Sequence, residues 1–133
     1  MPWKSMFRSH GVELHFSGHC NNAEVMDARD AAYEHRYEEG LQYMIVDFTR
    51  VEYLDLALAD LLRLADHDRQ YLLRNPSHVL AIVAPQAPVL RLLRMYEHYM
   101  EGSPLLMQIT STHAEAVSWL RSEMLESASL SAI

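Results

Sequence analysis

Apolar and polar residues follow two rhythms along this chain. Val12, Leu14 and Phe16 alternate with Glu13, His15 and Ser17, the period of a strand with one buried face. Trp3 to Arg8 precedes it across a short turn at Ser9-His10-Gly11, so the two strands are expected to pair antiparallel. Leu41 to Phe48 is apolar on both sides, as a central parallel strand should be, and Val79 to Ala84 and Leu105 to Thr110 read as the next and last strands. Between these runs the period lengthens to that of helices. The first helix is capped by Asn21 or Asn22, carries Glu24 and Asp27 in its first turns, and should stop at Gly40. The second runs from about Leu56 to Leu73. Leu58, Leu61, Leu62, Ala65 and Leu72 form its inner face, while Asp60, Arg63, Asp66, Asp68, Arg69 and Arg74 look outward. Asn75-Pro76-Ser77 ends it. Pro85 to Pro88 leads into a third helix, Val89 to Met100, stopped by Gly102. Thr112 and Glu115 form a capping box for a fourth, whose apolar face holds Val117, Trp119, Leu120 and Met124.

The order is β-β-α-β-α-β-α-β-α. It predicts an α/β fold: a mixed, mostly parallel sheet of about five strands with one antiparallel edge strand and helices packed on it. Residues 1–125 form a single domain, and the small, serine-rich stretch 126–133 is expected to be a frayed tail.

Composition narrows the function. The chain has 133 residues, half of them apolar, enough for one core. A net charge of −7 argues against nucleic acid as a partner. No apolar run reaches the ~18 residues of a membrane span, and Met1 to Lys4 does not open a secretory signal, so a cytoplasmic location is expected. One cysteine, Cys20, excludes an internal disulfide.

Several segments, in order, resemble the SpoIIAA-like branch of the STAS superfamily, named for anti-sigma-factor antagonists. They are Ile45-Val46-Asp47-Phe48, the link Val51 to Asp55, Ala81 to Pro85, Arg94-Met95-Tyr96-Glu97 with Glu101-Gly102-Ser103, and Ala114 to Leu120. The resemblance implies the STAS fold and a binding or regulatory role. It also implies a serine or threonine switch just after the aspartate that matches Asp55. Here Leu56 stands at that place and cannot accept phosphate, so control by that route is not expected. The same branch is similar to the CRAL-TRIO lipid-carrier fold, which implies an alternative role as carrier of an apolar small molecule. A pocket lined by Leu61, Leu93, Met95 and Met100 would support it.

Catalytic chemistry finds little footing. His10, His15, His19 and Cys20 cluster in sequence, but His10 and His19 lie at opposite ends of a strand, too far apart to share an ion. No metal site and no cofactor is therefore expected. Cys20 precedes a helix start, where a thiol can be activated, although a structural role is the commoner one. The four glycines are widely separated and form no phosphate loop. The carboxyl ends of the strands, with Asp47 and Thr49, are the default crevice of such a sheet. Asp47, Asp55 or His98 would be the base if the protein were an enzyme. Arg91, Arg94, Met95, Glu97, His98 and Tyr99 make the third helix either a solvated face or a partner surface. The expected function is a non-catalytic, homodimeric binding module, with these helix residues and Asp47, Thr49 and Asp55 as candidate contact positions.

Overall fold

The computed structural model describes residues 3–8, 10–34, 41–75 and 79–131, with side chains as far as residue 124. Five strands, β1 (Trp3–Phe7), β2 (Gly11–Asn21), β3 (Tyr43–Asp55), β4 (Val79–Val83) and β5 (Leu106–Thr110), lie side by side in chain order. β1 is antiparallel to β2, and every later pair is parallel. The expected mixed sheet with one antiparallel edge is therefore present.

Because the parallel strands advance in one direction, crossovers of one hand put their helices on one face. Helices α1 (Asn22–Glu34), α2 (Leu58–Leu72) and α3 (Ala87–Tyr99) cover that face. They pack over Val12, Leu14, Phe16, Met44, Val46, Phe48, Leu80 and Ile82 in the main core. The alternate residues of the same strands point the other way. There α4 (His113–Ser131) lays Ala116 and Leu120 on Ile45, Ala81 and Val83, with Val117, Trp119 and Met124 alongside. Among the described residues no helix is long and apolar enough to cross a membrane.

Caps behave as their spacing predicts. The Glu24 N–H donates to Asn21 Oδ1 at 3.0 Å and the Asn21 N–H to Glu24 Oε1 at 3.3 Å. On α4 the Glu115 N–H donates to Thr112 Oγ1 at 3.1 Å, and the Thr112 hydroxyl donates to Glu115 Oε1 at 2.9 Å, a cap whose return link is between side chains. α4 continues through Ser131, into the stretch expected to be a tail, since no glycine or proline interrupts it. The expected stops at Gly40 and at Pro76-Ser77 fall outside the described residues.

Two expectations need correction. β3 does not end at Phe48 but continues to Asp55 beside a β2 that reaches Asn21. Register shifts between His15 and Ser17 and between Gly18 and His19 let the two long strands stay paired. β4 leaves β3 after Asp47, and Gln86 Nε2 takes over beyond it, donating to the carbonyls of Phe48, Thr49 and Val51. In α2 the buried stripe is Leu61, Leu64, Ala65, Asp68 and Leu72, whereas Leu58 and Leu62 are 52% and 51% exposed. Asp68, expected outside, is 1% exposed, because it has partners in the core.

Candidate functional site

β2 carries Glu13 and His15 two residues apart, hence on one face of the sheet, the face that α4 only partly covers. His113, the first residue of α4, reaches the same place from 100 residues away in sequence. Glu13 is 6% exposed. Its Oε1 lies 3.0 Å from His15 Nε2 and 2.8 Å from His113 Nε2, and its Oε2 accepts from Arg8 at 3.4 Å. Burial alone would raise the Glu13 pKa. The hydrogen bonds and charges of His113 and His15 outweigh it and hold the carboxyl below its usual range. On the far side of His15, Nδ1 faces Asp47 Oδ2 at 3.6 Å. Asp47 is itself fixed, because its Oδ1 accepts the N–H of Thr49 at 2.8 Å and its hydroxyl at 2.5 Å. A groove of about 650 Å³ opens beside this cluster. Tyr43, Ile45, Val117, Leu120 and Met124 give it apolar walls, and Arg8, Glu13, His113 and Arg121 its polar rim.

A second polar group is sealed inside the main core. Asp68 accepts from Arg29 and from the hydroxyls of Tyr33 and Tyr96, tying α1, α2 and α3 together. Burial acts first on both tyrosines and lifts their pKa values well above the ordinary phenol, with the Asp68 charge adding to it. For Arg29 burial pulls the pKa down, but the Asp68 carboxylate more than restores it, so the guanidinium stays charged. Buried as these groups are, the network braces the three helices from inside the core.

The residues singled out in the sequence do not converge. Asp47 is buried on the α4 face, while Thr49 and Asp55 are exposed at and beyond the bulged part of β3. Arg91, Arg94, Met95 and His98 are exposed on α3, which packs on the opposite face. Glu97 is engaged by Arg94 at 2.9 Å, and Tyr99 packs against the core. Leu61, Leu93 and Met100 are core residues away from the groove beside Glu13, while Met95 is exposed. Cys20 is buried. Burial and the nearby Glu24 charge raise its thiol pKa, which argues against an activated nucleophile.

Sequence reasoning placed His15 on a strand face but gave it no partners. Glu13 read as the solvent half of an alternating strand, and no motif marks His113. The one local signal was the i, i+2 pairing of Glu13 with His15.

Compared with solved structures, the architecture matches three that share one fold. The unphosphorylated form of the anti-sigma factor antagonist SpoIIAA superposes with a TM-score of 0.59 at 15% identity, covering 90% of this chain and 97% of that one. The chain has a SpoIIAA-like fold. The phosphorylated SpoIIAA of Bacillus gives a TM-score of 0.58 at 13% identity, with 89% and 98% covered. An uncharacterised DUF3478-family protein from Shewanella loihica, also SpoIIAA-like, gives 0.54 at 14% identity, with 89% and 91% covered. No protein-family model matches the chain, and no curated protein sequence matches it significantly. At these identities the likeness carries the SpoIIAA-like fold and not the partner.

Proposed function

We propose that this protein is a non-catalytic regulatory module that acts by binding another protein. The observation that carries this reading is the likeness to SpoIIAA over nearly the full length of both chains. SpoIIAA is an anti-sigma factor antagonist, so its fold is one that works by docking. The segment from the end of β3 into α2 supplies a suitable surface. Tyr53, Leu58 and Leu62 are large apolar residues left exposed there, with Asp55 among them. Apolar residues grouped in this way are the usual centre of a protein contact. Leu56, where the resemblance implies a switch hydroxyl, packs against the core instead, so the module binds without a phosphorylation step at that position.

Affinity capture from the source cells tests this, using wild-type and Leu58→Glu/Leu62→Glu baits with light-scattering masses of each. One protein should co-purify in stoichiometric amount with the wild type and fall at least tenfold with the double variant. It should stay unchanged with an Arg94→Glu bait. A wild-type mass of two chains that drops to one in the double variant would identify the partner as a second copy. Capture indifferent to the double variant, or substrate turnover abolished by a point substitution, overturns the proposal.

A further inference from the structure

The Glu13 cluster is built differently from a surface salt bridge. Both imidazoles aim Nε2 at the same oxygen, Oε1, of a single buried carboxylate. Their three ligand atoms all lie within 4.8 Å of one another. Ligands around a tetrahedral zinc ion, with bonds of about 2.0–2.2 Å, sit about 3.4 Å apart. The observed separations of 3.0 Å and 2.8 Å need to open by only a few tenths of an ångström to match.

We propose that Glu13, His15 and His113 form a binding site for one divalent transition-metal ion of the zinc class, with Asp47 as the group that orients His15. Two imidazole nitrogens and one carboxylate oxygen are the donor set that zinc, cobalt(II) and nickel(II) accept. All three ligands stand on regular elements, two on β2 and one at the first residue of α4. The His15 and His113 side chains are 34% and 43% exposed, so an ion can enter and keep an open position toward the groove.

Asp47 makes the arrangement specific. A neutral His15 that donates from Nε2 to Glu13 turns the Nδ1 lone pair toward the Asp47 carboxylate, 3.6 Å away. A metal on Nε2 reverses the tautomer, and the Nδ1–H then donates to Asp47. A carboxylate behind a ligating imidazole is the usual second layer of such a site. Asp47 is pinned for this by Thr49. Arg8 is the opposing charge: it reaches Glu13 Oε2 at 3.4 Å from a half-exposed position and competes with a cation for that carboxylate.

The test is titration of the chelator-treated full chain with Zn²⁺ by calorimetry and with Co²⁺ by visible absorption. One ion per chain is expected, with ligand-field bands of a four- or five-coordinate site. His15→Gln and His113→Gln should each weaken binding at least tenfold. Asp47→Asn should weaken it about 10–100-fold, as loss of an outer-layer partner does. Arg8→Gln should leave binding unchanged or tighter, and His98→Gln should leave it unchanged. In wild-type protein Zn²⁺ should move the ring resonances of His15 and His113 ahead of the other histidines, a readout that needs no variant to fold. Absence of stoichiometric binding, or binding by both ligand variants as tight as that of the wild type, overturns the proposal and leaves a hydrogen-bonded array only.

Discussion

Asp68 shows how far a single residue can depart from its type. On α2 it follows Asp66 and His67 and looks like one more solvated acid, yet it is the hub of the core. A buried carboxylate is tolerated only when its charge is met, and Arg29, Tyr33 and Tyr96 meet it. Removing one partner strands the other. Asp68→Ala should therefore cost about 3–5 kcal/mol in denaturant unfolding, because Arg29 would remain buried and charged. The double variant Arg29→Met/Asp68→Leu should recover part of that loss, since no buried charge is left unpaired, while the Tyr33 and Tyr96 hydroxyls still lose their acceptor. A single and double variant of equal stability would show that the pair is not coupled. The network was illegible in the sequence for a plain reason. Its members are 28 to 39 residues from Asp68 and share no motif, and each alone has an ordinary surface reading.

At the scale of elements, nearly every strand and helix was readable, because apolar period and capping chemistry are local properties. The caps at Asn21 and Thr112 are examples. The phase of α2 was not. Leu58 and Leu62 satisfy the helical spacing as well as Leu61 and Ala65 do, so spacing alone could not choose between neighbouring faces. The core chose the face that brings Asp68 inward. Leu61→Ala should accordingly cost about 2–5 kcal/mol, as a cavity in packed surroundings does. Leu62→Ala should stay within about 0.5 kcal/mol, as exposed positions do. Equilibrium unfolding of the two variants side by side checks the assignment, and equal losses would refute it. β3 was misjudged by the same kind of limit. The apolar run ends at Phe48, and only the bulged pairing with β2 and the cap from Gln86 carry the strand on to Asp55.

For the whole molecule the decisive fact is an asymmetric sheet. Among the described residues three helices cover one face and α4 alone lies on the other, so the second face depends on one helix. A chain ending at Ser111 would leave Ile45, Ala81 and Val83 open to water. It should bind a hydrophobic dye and lose its cooperative thermal transition, while a chain ending at Ser131 should keep it. Retention of the transition without α4 would mean that the main core suffices alone. The same asymmetry leaves room beside α4 for the groove and for the meeting of Glu13, His15, His113 and Asp47. By itself the sequence determined the order of elements, the mixed sheet, the single edge pairing and most helix caps, since each follows from residues within a few positions of one another. Only tertiary structure decided which charged residues enter the core, which leucines stay outside and which histidines meet. Those outcomes depend on groups up to 100 residues apart being brought within hydrogen-bond reach, and no local spacing encodes that distance.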